Sequence, residues 1–298
     1  MVLVILMYLL FASTFTLGKA ALSYVSPFLF IGMRMILGGS LLLAYYRYIK
    51  KQKIVIGKAD YRLFLSIILF HIFFAYTLEF WALECVTSAK ACLLYNLSPF
   101  ITALFSYFLF AERLSYRQVC GLIIGFLGFI PILVAQTPLE KIGLHISFLS
   151  IYEIALIASV ISSAYGWMMV KGLIHRNYSL LLINGIGMTG GGTLALLLSL
   201  ITEGVSGFKV NSGEQLIMLG TYCLALVIIA NIIGYNLYGY LLTRYSATFL
   251  SFAGFMTPLF AALLGWVFLG EQVTWHFFAT ISMVVLGLYL FHEKNLTL

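Results

Sequence analysis

Ten apolar runs, each near the length that crosses a bilayer, follow one another through almost the whole sequence, at about 2–20, 27–47, 61–83, 88–110, 117–135, 146–170, 178–201, 213–241, 246–269 and 273–292. A hydrocarbon core takes roughly 20 apolar residues per helix. Barrel strands would alternate apolar and polar positions, whereas these runs are unbroken. The eighth run exceeds a single span, so it must tilt or extend beyond the bilayer. The sequence therefore predicts an all-α polytopic membrane protein with ten transmembrane helices.

Composition excludes the main alternative. Hydrophobic residues make up 62% of the chain and charged residues 9%, against about 25% charged in soluble domains. The net charge of +7 does not point to nucleic acid, because the basic residues lie in short loops between apolar runs. Arg47, Lys50, Lys51, Lys53, Lys58, Arg62, Arg113, Arg117, Lys171, Arg176, Arg244 and Lys294 fall on one side, and only Lys141 and Lys209 in the opposite loops. The positive-inside rule then puts both termini in the cytoplasm. The first run lacks a basic leader and a small-residue cleavage site, so it reads as a transmembrane helix and not as a signal peptide. Cys85, Cys92, Cys120 and Cys223 show no metal spacing and read as small core residues.

The stretch 99–116, PFITALFSYFLFAERLSY, returns as PLFAALLGWVFLGEQVTW at 258–275. A shift of 159 residues superposes Pro99 on Pro258, Ala103 on Ala262, Leu104 on Leu263 and Glu112 on Glu271. Repetition at half the chain length divides the sequence into residues 1–136 and 145–293. Five helices per half is an odd number, so the second half enters the membrane with opposite orientation. Inverted repeats of this kind place a substrate site near the midplane, between the halves.

These features resemble the EamA-type branch of the drug/metabolite transporter superfamily. The resemblance rests on P-x3-AL-x7-E closing runs four and nine, with Lys19, Pro27, Arg34, Gly121, Gly125 and Gly128 in support. In two places the chain departs from the family pattern. Gly121 and Gly125 pair with Thr280 and Val284, and Ala12-Ser13 replaces a tryptophan-glycine pair. The resemblance implies a secondary transporter of the bacterial cytoplasmic membrane. Members include amino-acid exporters and S-adenosylmethionine carriers.

Several residues are candidates for the pathway. Pro99 and Pro258 remove the donors to the carbonyls of Tyr95 and Gly254. Each is either a static kink or a hinge, and Gly254 adds a place for close backbone approach. Glu79 stands inside the third run, where a lone carboxylate in lipid costs about 2.5–3.5 kcal/mol. It needs either a cationic ligand or an ion pair with Lys19, Lys90 or Arg34. Tyr76 shares its face, and Asn231, Tyr235 and Tyr238 form the corresponding face of the eighth run. Glu153 is a second acid, either in the cavity or solvated at the interface. Arg34 is either an anion site or an internal clamp on carbonyls or a glutamate, and the resemblance favours the clamp. Phe15, Tyr95, Asn96 and Trp167 neighbour these polar groups and complete the candidate wall.

No nucleophile–base, metal or nucleotide-binding pattern stands out, so no cofactor or metal site is assigned; Gly190-Gly191-Gly192 is read as packing material. Acids with clustered aromatics suit a cationic or zwitterionic small molecule with a planar group. A sulfonium attached to adenosine fits that description, with amino-acid or drug export as the alternative. A coupling proton or counter-substrate would supply the energy. The competing class, an intramembrane enzyme or scaffold, lacks the constellation that catalysis would need.

Overall fold

A computed structural model describes residues 2–110, 115–128, 145–146, 149–204, 207–270 and 275–291. The described residues are almost entirely helical, as in a polytopic membrane protein. Helices α1 (Val2–Ala21), α2 (Pro27–Ile49), α3 (Lys58–Leu83), α7 (Ile151–His175), α8 (Leu180–Thr202) and α9 (Gly213–Leu242) are each long and apolar enough to span a bilayer. Shorter helices are α4 (Ser88–Tyr95), α5 (Ser98–Phe110), α6 (Tyr116–Leu127), α10 (Ala247–Ala253), α11 (Thr257–Leu269) and α12 (Trp275–Phe291). A two-residue hairpin, β1 (His145–Ile146) with β2 (Leu149–Ser150), precedes α7. Among the described residues, then, six helices reach spanning length where the sequence predicts ten. Glu112, Glu271 and the end of the fifth apolar run lie outside the described residues.

Local chemistry explains two of the differences. The fourth and ninth apolar runs are broken, at Asn96–Leu97 and at a 3₁₀ turn, Gly254–Met256. Pro99 and Pro258 stand in the first turn of the helix after each break. Proline costs little there, because the first-turn N–H groups have no intrahelical acceptor anyway. The prolines thus start helices and do not kink continuous ones. The sixth run begins at Ile151 and not at 146, because Ser150 and Glu153 form a capping box. Thr87 and Ser246, 159 positions apart, accept from the backbone N–H of Lys90 and Phe249.

Packing follows the same shift. Helix α2 lies along α8, and α6 along α12. Helix α3 packs on α7 and α8, and α9 packs on α1 and α2. Glycine permits the closest approaches. A Cβ on Gly39 would meet Thr189 Oγ1 at 2.5 Å and its backbone N at 2.6 Å; one on Gly287 would meet the Gly121 carbonyl at 2.7 Å. Helices α3 and α9 also share an irregularity, each passing through a π-helical stretch, Ile67–Phe74 and Val227–Gly234.

Both ends of the bundle are fastened through a carboxylate, α2 to α8 at one end and α3 to the α7–α8 turn at the other. At one end Glu203 accepts from Ser26 Oγ at 2.6 Å and from the N–H groups of Phe28 and Leu29 at 3.0 and 3.1 Å. A carboxylate is favoured at a helix N-terminus. At the other end Arg176 pairs with Asp60, and Tyr178 donates to Asp60 at 2.7 Å. That hydrogen bond raises the Tyr178 hydroxyl above its usual pKa. The outward surface is apolar and aromatic: Trp266, Phe268 and Tyr289 are 61, 72 and 78% exposed, which suits lipid and not water.

Candidate substrate-binding site

Two buried apolar clusters fill the bundle, one around Phe15, Phe30, Phe80 and Leu94, the other around Met7, Ile67, Met168 and Leu250. Trp167 packs against both. Between them lies a cavity that, with its open mouth, takes in about 840 Å³. Helix α1 lines it with Tyr8, Phe11, Thr14 and Phe15; α3 with Ala75, Tyr76 and Glu79; and the α4–α5 break with Tyr95, Asn96 and Ser98. Helix α7 adds Ser163 and Trp167, α9 Tyr235 and Tyr238, and the α10–α11 break Ser251, Gly254 and Thr257. The broken runs thus bring backbone turns to the cavity.

The polar groups are organised by hydrogen bonds. Glu79, 6% exposed, is hydrogen-bonded to the Tyr95 hydroxyl at 2.6 Å. Tyr95 Oη also lies 2.8 Å from Ser159 Oγ, which donates to the Ala75 carbonyl at 2.7 Å. Across the cavity Tyr235 donates to Tyr76 Oη at 2.5 Å. Asn96 is buried and its Nδ2 has no hydrogen-bond partner among the described residues. The aromatic wall is continuous. The Trp167 ring stands 4.1 Å from Tyr238, 5.2 Å from Tyr235 and 4.4 Å from His71. Phe15 meets Tyr95 edge-on at 5.4 Å.

Nine of the sequence-predicted residues therefore come together around the cavity: Phe15, Tyr76, Glu79, Tyr95, Asn96, Trp167, Tyr235, Tyr238 and Gly254. Others do not. Glu153 is fully buried, not solvated; it closes the α7 capping box and pairs with Lys90 at 2.7 Å. Asn231 is buried behind the wall, with Nδ2 at 2.9 Å from Met35 Sδ. Pro99 and Pro258 are buried beside the breaks and do not line the cavity. Lys19 donates to the Val86 carbonyl. Among the described residues Arg34 clamps neither carbonyl nor glutamate: its guanidinium stands 5.0 and 5.1 Å from the rings of Tyr76 and Phe80, and its nitrogens reach no partner there at hydrogen-bond geometry. Cation–π contact is its visible stabilisation.

The residues not singled out in the sequence, Tyr8, Phe11, Thr14, Ser98, Ser163, Ser251 and Thr257, carry little signal alone. The repeat holds a partial key. Shifting by 159 relates Tyr8 to Trp167, Tyr76 to Tyr235, Ser98 to Thr257 and Glu79 to Tyr238, and all eight line the cavity. The wall is positionally paired and chemically one-sided, with the carboxylate in the first half only.

Relatives agree with this architecture. The EamA-like transporter family profile matches residues 1–134 and 150–292. The chain is 32% identical over 292 residues to the S-adenosylmethionine/S-adenosylhomocysteine transporter of Chlamydia muridarum, covering 96% of this chain and 89% of that protein. It is 25% identical to the uncharacterized transporter YvbV of Bacillus subtilis, covering 94% and 87%. A solved crystal structure superposes with a TM-score of 0.71 at 19% identity, over 97% of this chain and 96% of the other, which supports the fold alone. The chain belongs to the EamA-like transporter family.

Proposed function

We propose that this protein is a secondary-active transporter that takes up or exchanges S-adenosylmethionine and S-adenosylhomocysteine by alternating access. The observation that carries the reading is the pairing of one buried carboxylate, Glu79, with a continuous aromatic wall, Trp167, Tyr235, Tyr238 and Tyr8, in a single cavity. Glu79 attracts the cationic part of the ligand. The rings stack on the purine and attract the cation through their faces. Asn96 Nδ2 supplies a free donor for a ring nitrogen or carboxylate oxygen. The names of the chlamydial relatives support the same cargo.

Ten membrane crossings in two inverted halves, with both termini in the cytoplasm of a bacterial cell, fit this reading. The unequal lengths come from the two broken runs, whose turns meet the cavity where transporters use interrupted helices to bind substrate. Moving one half against the other would open the cavity to each side in turn. Catalysis is no part of the reading.

Counterflow into proteoliposomes containing the full chain tests it. Labelled S-adenosylmethionine should enter vesicles preloaded with S-adenosylhomocysteine and not empty ones. Glu79→Gln should weaken affinity roughly 10- to 100-fold, the worth of a charge-assisted contact of about 1.5–3 kcal/mol. Exchange of amino acids with no exchange of adenosyl compounds would reject this cargo.

A further inference from the structure

The chain of contacts from Glu79 to Ala75 holds a count of protons. Its three links are Glu79 Oε2 to Tyr95 Oη at 2.6 Å, Tyr95 Oη to Ser159 Oγ at 2.8 Å, and Ser159 Oγ to the Ala75 carbonyl at 2.7 Å. Each link is of hydrogen-bond length, and each needs one proton. A tyrosine and a serine hydroxyl each carry one, and the terminal carbonyl carries none. With Glu79 ionised, two protons serve three links, and one close oxygen–oxygen contact lacks its hydrogen. With Glu79 protonated the count closes: Glu79 donates to Tyr95, Tyr95 to Ser159, and Ser159 to Ala75. Ser159 is fully buried and Glu79 nearly so, so water is poorly placed to make up the deficit, and an unmade hydrogen bond is costly there.

We infer that the unliganded cavity holds a proton on Glu79, and that a cationic ligand displaces it. The carboxylate then serves proton and ligand cation in turn, and the buried charge of the site stays constant. When the proton leaves, the Tyr95 hydroxyl turns back to donate to the carboxylate, and Ser159 stays on Ala75. The surroundings allow both states. Tyr76 and Tyr235 face Glu79 from α3 and α9, and Tyr95 faces it from α4. Arg34 on α2 is the cation that faces this group among the described residues, its guanidinium 5.0 Å from the Tyr76 ring. Arg34 makes no hydrogen bond to the carboxylate, so it does not lock the ionised form. The exchange balances: one proton leaves Glu79 for each ligand molecule that sets a cationic group against it.

The identity of the ligand rests on the proposed function; the proton does not, and the experiment separates them. Infrared difference spectra of the full chain in lipid nanodiscs, titrated with pH and without ligand, should show a protonated carboxyl C=O band that Glu79→Gln removes. Calorimetry of S-adenosylmethionine binding in two buffers of different ionisation heat should give about one proton released in the wild type and none in Glu79→Gln. Affinity should rise about tenfold per pH unit while Glu79 is protonated before binding. Tyr95→Phe should keep the carboxyl band and shift its frequency, since the buried carboxyl loses the hydroxyl that hydrogen-bonds it. A missing band, or binding without proton release, overturns the inference. A band present in a protein that binds no adenosyl compound upholds the proton and rejects the cargo. Should Glu79→Gln fail to fold, the pH dependence of wild-type affinity decides, a flat profile overturning the inference.

Discussion

Tyr76 and Tyr235, 159 residues apart, meet hydroxyl to hydroxyl at 2.5 Å. They occupy equivalent places in the two halves of the sequence, so the contact joins each half to its own counterpart. Both rings line the cavity, and Arg34 lies against the Tyr76 face at 5.0 Å. Any movement of one half against the other must pass through this bond or break it.

Removing either hydroxyl removes the same interaction. Tyr76→Phe and Tyr235→Phe should each lower stability in detergent by about 1 kcal/mol, and the double variant by little more than either. Thermal unfolding of the four proteins measures the coupling. Additive losses would show that the hydroxyls act independently.

The Lys90–Glu153 pair should govern folding and not affinity. Both side chains are buried, 3 and 0% exposed, at 2.7 Å. Removing one partner strands the other, at a cost of roughly 3–5 kcal/mol. Glu153→Gln should therefore unfold at much lower temperature while its folded fraction keeps wild-type substrate affinity. Adding Lys90→Met should restore part of the loss. A selective fall in affinity at full stability would return Glu153 to the substrate pathway.

Trp167 should separate stacking from simple filling. Replacement by Phe keeps an aromatic face and replacement by Ala does not. Base–aromatic stacking is worth about 1–3 kcal/mol, so Trp167→Ala should weaken S-adenosylmethionine binding roughly 5- to 150-fold, and Trp167→Phe should recover most of it. Competition binding against a labelled adenosyl ligand measures both. Equal losses in the two variants would argue for packing alone.

Gly39→Ala tests the contact between α2 and α8. The new methyl would lie 2.6 Å from the Thr189 backbone nitrogen and 2.8 Å from the Gly185 carbonyl, and backbone cannot step aside as a side chain can. A loss of about 1–3 kcal/mol follows from such overpacking, with a lower yield of monodisperse protein. Unchanged melting would mean that the helices tolerate separation.

Much of the fold was legible because lipid admits few solutions: long apolar runs become helices, and Val2–Ala21 and Leu180–Thr202 fall close to the boundaries expected from the sequence. The breaks before Pro99 and Pro258 were harder, because an apolar run looks continuous whether its backbone is helical or turned. The Ser150–Glu153 capping box was readable from Ser-x-x-Glu alone, yet the acid drew attention first as an intramembrane charge. Glu79 and its aromatic neighbours were found because a carboxylate in lipid demands a partner. Glu153 met the same criterion with Lys90 as its partner, a pairing that joins residues distant in sequence and that no local pattern reveals. Tyr8 and Ser251 lacked even that signal, being ordinary residues until helices from both halves enclose them.

The π-helical stretches in α3 and α9 alter how the cavity wall is phased. A π turn carries more residues than an α turn, and each residue of an α-helix advances the side-chain direction by about 100°. Tyr76 and Glu79 therefore point where they do because Ile67–Phe74 has been wound loosely beneath them, and Tyr235 and Tyr238 depend likewise on Val227–Gly234. Deleting one residue from either stretch would shorten the helix by only about 1.5 Å, yet would turn that half of the wall about the helix axis, by less than the roughly 100° of an α-helical residue because the loose winding can tighten as the residue goes. In these two helices sequence length acts as a compass setting, and an apparently slight deletion re-aims the binding groups.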